Sequence, residues 1–229
     1  MNIGLITYDF NHLKTEYVVK KLSEDKRVSS IQILAMPFKK RPRRKTLFNH
    51  RPDQSLGSHT SKLINLEKVA FKKWDGISEV DNCDIFIIGG AGILDIKFAK
   101  KIPIINCHPG IIPTCRGLDS FKWAINEGDE LGITLHQIDS EVDKGKILHI
   151  EKTPIFMEDT LKDLAKRHYE LELKVLINFF DYINSSFKSN FVEKPSRMRM
   201  PYEQEERMVL KFNDWKKTML KHQRYESTI

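Results

Sequence analysis

The chain opens with a short apolar run, residues 3–8, followed by Glu16 to Leu22, where Val18, Val19 and Leu22 fall at helical spacing. This pairing predicts a first strand–helix unit. A second apolar run, Ile31 to Ala35, predicts another strand. The stretch after it carries Pro37, Pro42 and Pro52, which forbid a continuous helix and predict a long loop. Asp84-Ile85-Phe86-Ile87-Ile88-Gly89-Gly90 is an unbroken apolar run ending in glycines, the pattern of a strand buried on both faces of a parallel sheet. Residues 103–108 predict a further short strand after the segment Asp95 to Lys101. Gly132 to Ile138 alternates with period two, and Ile147 to Ile150 continues the alternation after a turn.

From Asp159 or Thr160, Leu161, Leu164, Ala165, His168, Leu171, Val175, Leu176 and Phe179 repeat at three- and four-residue spacing, predicting a long capped helix that packs on the sheet. Alternating strands and helices imply an α/β fold: a Rossmann-like, doubly wound, mostly parallel sheet flanked by helices, with ligands at the carboxyl ends of the strands. After Phe180 the chain becomes polar and ends in a charged helix over Glu203 to Leu220. The expected division is a catalytic α/β domain over residues 1–185 and a small helical carboxyl-terminal extension over 186–229, which docks on the core or makes a homodimer.

At 229 residues, 40% hydrophobic and 30% charged, the chain is large enough to bury its own core and too balanced to be disordered. No apolar run is long enough for a membrane helix, and the first residues lack the pattern of a secretory signal, so a cytoplasmic location is expected. Cys83, Cys107 and Cys115 form neither a disulfide framework nor a spaced metal pair, so reduced thiols and no metal are expected. The net charge of +7 is concentrated in Lys39, Lys40, Arg41, Arg43, Arg44, Lys45, His50 and Arg51, with more cations after Lys194. Such a run is a solvated loop, a site for a phosphorylated small molecule or, less often, an RNA surface.

The chemistry concentrates in Asn106-Cys107-His108-Pro109-Gly110-Ile111-Ile112-Pro113-Thr114-Cys115-Arg116-Gly117, followed by Asp139-Ser140-Glu141-Val142-Asp143-Lys144-Gly145. On a strand, residues two apart share a face, so Asn106 and His108 line one wall while Cys107 points away into apolar packing. The prolines and glycine force a rigid excursion after them. His136 either faces this site or ends a strand; both readings are open.

This stretch resembles the folate-dependent formyltransferase family, whose signature is N-x-H-x-G-x-x-P followed by an aspartate in a D-x-G loop. The likeness is good over residues 85–155 and weaker before them. It implies transfer of a formyl group from 10-formyltetrahydrofolate to an amine, with Asn106, His108 and Asp143 as the catalytic set. Asn106 would donate to the developing oxyanion, an interaction of roughly 3 kcal/mol in a dry site. Whether His108 takes the amine proton or stabilises the oxyanion, and whether Asp143 orients His108 or holds a relay water, is left open.

The resemblance also places the folate against Gly92, Ile93, Leu94, Asp139 and Val142, with Gly89, Gly90 and Gly92 letting a flat ring approach the backbone. Three branches of the family differ in acceptor. The chain after the long helix is too short and too helical for the extra β-barrel of the methionyl-tRNA enzymes. The glycine-rich first loop that cradles phosphate in the glycinamide ribonucleotide enzymes is here Thr7-Tyr8-Asp9-Phe10-Asn11-His12, without glycine. The sequence is most similar to the sugar N-formyltransferases, which implies a nucleotide-linked amino-deoxysugar, dTDP-linked, for surface polysaccharide. Tyr8, His50, Arg51 and Arg116, with Lys45, Phe10 and Trp123, are candidates to hold its pyrophosphate, base or sugar. The alternatives are glycinamide ribonucleotide or another small amine, or a noncatalytic nucleotide- or RNA-binding protein using the basic loop.

Overall fold

The computed structural model describes residues 1–38, 44–92, 94–139, 143, 145–187 and 190–226, with residues 224–226 described by backbone alone. Seven strands form one sheet: β1 (Asn2–Tyr8), β2 (Ser30–Met36), β3 (Val69–Lys73), β4 (Ile85–Ile88), β5 (Ile104–His108), β6 (Gly132–Gln137) and β7 (Ile147–Lys152). Their order is β3-β2-β1-β4-β5-β6-β7. The first five run parallel, with the order reversing at the β1–β4 boundary; β6 pairs antiparallel with β5, and β7 antiparallel with β6. The arrangement is Rossmann-like, with an antiparallel edge added beside the strand that bears Asn106 and His108.

Alternation along the strands divides the interior. Ile3, Leu5, Ile31, Ile33, Ile85, Ile87, Ile105, Cys107, Ile133 and Leu135 face α1 (Leu13–Glu24) and α3 (Leu161–Ile177), meeting Val18, Val19, Leu22, Leu173, Val175 and Leu176. Burying each such aliphatic side chain contributes roughly 1.5–3 kcal/mol. Ile6, Leu34, Phe86 and Ile104 face the other way, onto Trp74, Val80 and Phe98. That second face is covered by the 74–83 connection and a 3-10 turn, Ile96–Ala99, capped by Asp95. Asn106 and His108 lie on this second face.

Helix α3 starts at Thr160, whose hydroxyl and Asp163 form a reciprocal capping box; Asp159 instead pairs with Arg167. Two elements carry no periodic signal of their own. Strand β3, Val-Ala-Phe-Lys-Lys, is a charged edge strand, and α2 (Ser120–Glu127) has only eight residues and starts from Asp119 in the left-handed region, without a side-chain cap. The stretch read as a loop after β2 contains two 3-10 turns, Gln54–Leu56 and Thr60–Asn65, laid over the start of α1. The carboxyl-terminal helix α4 (Tyr202–Glu226) presents Met208, Phe212, Trp215 and Met219 to Phe121, Ala124, Ile125, Leu131, Ile155 and Leu164, so it shares a core with α2 and the first turn of α3. No helix among the described residues is long and apolar enough to cross a membrane.

Candidate active site

Strand pairing assembles the centre of the site. The β5–β6 register sets Asn106 opposite His136 and His108 opposite Thr134, and directly opposed residues of an antiparallel pair share a face. Asn106 donates from Nδ2 to Nε2 of His136 at 3.2 Å. That bond requires the His136 proton to sit on Nδ1, a buried atom with no partner among the described residues. Burial, with the neighbouring His108, lowers the His136 pKa to about 4, so the ring is a neutral acceptor at physiological pH.

His108 is 4% exposed. Its Nε2 donates to the Cys115 carbonyl at 2.8 Å and lies 3.1 Å from the Ser120 hydroxyl, which itself donates to the Gly117 carbonyl. With the proton fixed on Nε2, the basic nitrogen of the neutral ring is Nδ1, and it stands 3.5 Å from Asp143 Oδ2. Asp143 adopts a left-handed backbone conformation and accepts from the Gly117 amide at 2.9 Å; its Oδ1 is 3.8 Å from His136 Nε2. Asn106, His108, Asp143 and His136 therefore form one connected cluster, and His136 belongs to the site.

The excursion after β5 is held from three sides. Thr134 donates to the Gly110 carbonyl at 2.7 Å and accepts from the Ile112 amide at 3.0 Å, and His168 of α3 contacts the Pro109 carbonyl at 3.3 Å. Glycine is required at 110, because a Cβ there would stand 2.5 Å from the Cys115 carbonyl and 2.9 Å from His108 Nε2. Burial pushes the Cys115 thiol up to about 12 and the Cys107 thiol higher, so neither is a thiolate nucleophile; all three cysteines are free and buried.

Several candidates have other surroundings than expected. Arg116 is buried, donates to the Lys194 carbonyl and pairs with Glu193, so it anchors the 192–197 segment instead of facing a phosphate. His50 lies parallel to the Phe121 ring at 5.7 Å, and burial lowers its pKa well below 6.5, so it supplies no positive charge. Arg51 pairs with Glu172, which also binds Lys14 at 2.6 Å. Trp123 donates to the Met198 carbonyl. Arg44 pairs with Asp119 and Glu205, and Lys45 lies over the Tyr202 ring. These members of the basic run each have a partner within the chain, while Arg44 and Lys45 remain exposed; Lys39, Lys40, Arg41 and Arg43 lie outside the described residues.

Of the positions assigned to the folate, Ile93 and Val142 lie outside the described residues, Asp139 is exposed, and Leu94 packs against the second-face cluster. Gly89 and Gly90 approach protein atoms: a Cβ on Gly89 would stand 2.9 Å from the Thr15 hydroxyl, and one on Gly90 2.8 Å from the His12 ring. Gly92 alone of the three faces open space. Tyr8 closes β1 and meets His12 and Phe38 edge-on. Among the described residues no His, Cys, Asp or Glu groups are placed to hold a metal.

Residues 87–180, from β4 through α3, match the formyl transferase family. The phosphoribosylglycinamide formyltransferase of Haemophilus influenzae is 36% identical over 96 residues, 40% of this chain and 45% of that protein. The methionyl-tRNA formyltransferase of Pseudoalteromonas translucida is 28% identical over 167 residues, 64% of this chain and 52% of that protein. These alignments span about half the length of either relative. An N-formyltransferase from Helicobacter canadensis, solved with folinic acid and dTDP-3-aminofucose, superposes with a TM-score of 0.62 at 16% identity, covering 92% of this chain and 80% of that one.

Proposed function

We propose that this protein transfers the formyl group of 10-formyltetrahydrofolate to the amine of a nucleotide-linked amino-deoxysugar, dTDP-linked by preference. The observation that carries formyl transfer is the convergence of Asn106, His108 and Asp143 at the carboxyl end of β5. As the amine bonds to the formyl carbon, charge grows on the formyl oxygen. One Asn106 N–H is held by His136 and the other is directed to that oxygen. His108 Nδ1, facing Asp143, accepts the proton of the attacking amine, and the carboxylate stabilises the resulting imidazolium. Cleavage of the bond from formyl carbon to folate N10 then returns a proton to that nitrogen. The open flank at Gly92 suits a flat ring lying along the loop after β4.

The acceptor is inferred from the start of α1. In glycinamide ribonucleotide enzymes the corresponding loop cradles a phosphate. Here the Lys14 amide is bonded to Gln54 Oε1 at 2.9 Å, the Thr15 amide to His12 Nδ1, and Gly57 packs against Leu13. Two of the helix-start amides that would meet a terminal phosphate, those of Lys14 and Thr15, already have protein partners. The family match over 87–180 does not reach α1, so likeness there speaks for the reaction rather than the acceptor.

The test is turnover with 10-formyltetrahydrofolate and a panel of dTDP- and UDP-linked amino sugars, with glycinamide ribonucleotide alongside. Sugar substrates should be formylated, and Asn106→Ala and His108→Ala should each lose about 100-fold or more in kcat while keeping the wild-type melting temperature. Turnover of glycinamide ribonucleotide alone would replace the acceptor, and undiminished turnover in either variant would remove the site.

A further inference from the structure

At the carboxyl ends of β1 and β2, two exposed aromatic rings lie face to face. Phe10 and Phe38 are stacked with centroids 4.4 Å apart and planes 14° from parallel, and they are 37% and 40% exposed. Tyr8 meets the edge of Phe38 at 5.5 Å. Water-exposed rings usually sit on mobile chain, but Phe10 sits on pinned backbone, and Phe38 packs against it and against Tyr8. The Asp9 amide donates to the Met36 carbonyl at 2.7 Å, the Thr60 amide to the Phe10 carbonyl, and the Thr60 hydroxyl to the Tyr8 carbonyl at 2.9 Å. Asn11 bridges to His59 and its side chain donates to the Gly57 carbonyl at 2.8 Å. The rings are therefore held in place while much of their surface remains wet, an unfavourable arrangement unless something covers them.

Polar groups stand beside the platform. Asp9, the residue before Phe10, lies 3.2 Å from Lys73 and 3.7 Å from His59, so a group of hydrogen-bonding side chains adjoins the chain that carries Phe10. The platform also belongs to the same edge of the sheet as the catalytic cluster. A Cβ on Gly90, at the end of β4, would stand 3.5 Å from the Tyr8 ring, and β4 is flanked by β1 on one side and β5 on the other. Adjacent strands are about 4.8 Å apart, so β1 and β5 are separated by about 10 Å and β2 and β5 by about 15 Å. A ligand with a flat ring at one end and a reacting group at the other, joined by an extended linker, fits such a row.

We propose that the Phe10–Phe38 pair is the stacking platform for the heterocyclic base of the nucleotide-linked substrate. This rests on the nucleotide-linked reading of the acceptor, and it names the part of that ligand which glycinamide ribonucleotide lacks. Aromatic stacking tolerates any base, since every base has a π face, and Asp9, His59 and Lys73 are the groups placed to choose among them.

Isothermal titration of the full chain with dTDP, UDP and inorganic pyrophosphate, in the presence of folinic acid, tests the assignment. Phe38→Ala and Phe10→Leu should weaken dTDP and UDP about tenfold or more while leaving pyrophosphate and folinic acid unchanged, and Phe38→Tyr should restore nucleotide binding. Phe10→Leu keeps apolar bulk without a π face, so a loss there is not loss of folding. Equal nucleotide affinity in wild type and both variants overturns the platform and leaves the nucleotide-linked acceptor standing. Failure of dTDP and UDP to bind a wild-type protein that binds folinic acid overturns the acceptor reading, and the platform with it.

Discussion

Asn106 and His136 face each other across β5 and β6, the amide of one donating to the neutral imidazole of the other at 3.2 Å. The bond fixes which way the Asn106 amide points, and so where its second N–H is aimed. His136→Leu removes the acceptor while keeping an apolar side chain of moderate size, and kcat should fall roughly ten- to a hundredfold with little change in folate KM. Asn106→Ala should fall by about 100- to 1,000-fold. Because His136 acts through Asn106, the double variant should be no slower than Asn106→Ala alone. Multiplying losses in this double-mutant cycle would show that His136 touches the reaction directly.

Acid should destabilise the protein well before its carboxylates titrate. His136 and His168 have pKa values of about 4 when folded, lowered first by burial, against 6.5 in the unfolded chain. Between those values the unfolded state binds more protons, so stability falls as pH drops from 6.5 towards 4, by about 3 kcal/mol for each fully buried ring. The urea midpoint should therefore drop markedly from pH 7 to pH 5. His168→Gln should be less stable at pH 7 but lose less on acidification. An identical midpoint at both pH values in the wild type would contradict neutral burial of these rings.

The parts of this protein that were legible in its sequence are those determined by local periodicity. Asn106 and His108 share a face, and Cys107 the opposite one, because strand side chains alternate. The start of the long helix is readable to Asp159 or Thr160 from cap residues and apolar spacing, and the structure settles it at Thr160. His136 was not resolved from local pattern because its position in the site depends on a cross-strand register. Charge points Arg116 and His50 to a phosphate, and nothing local tells that one is buried against the Lys194 carbonyl and the other stacked on Phe121. Strand β3 and α2 escaped because an edge strand ending in two lysines and a two-turn helix without a cap bury too few residues in a regular pattern.

Two glycines near the site should fail differently. At Gly117, φ is +88° and a Cβ would stand 2.7 Å from the Arg197 amide nitrogen, where the chain bridges to the 194–197 segment. Gly117→Ala should cost about 1–3 kcal/mol in stability, read as a lower melting temperature. Gly110→Ala meets the Cys115 carbonyl and the His108 ring, so its principal effect should be on kcat, through displacement of His108. A Gly110→Ala protein with wild-type kcat would show that the excursion can shift without moving the imidazole.

Glu172 is a residue whose removal should cost a large share of the stability. It is 1% exposed and lies between Lys14 and Arg51. Burial alone would raise its pKa, but the two cations hold it down to about 2. A depressed carboxylate stabilises above its unfolded value of 4.5, and that contribution is lost as pH falls from 4.5 towards 2. Glu172→Gln would leave the Lys14 ammonium, 6% exposed, without its anion. Breaking a buried pair in this way costs about 3–5 kcal/mol, and Lys14→Met in the same chain should recover much of it by removing the stranded charge. Urea unfolding of the two single variants and the double variant decides the matter: a double variant no more stable than Glu172→Gln would mean that Arg51, rather than Lys14, is the cation Glu172 chiefly neutralises.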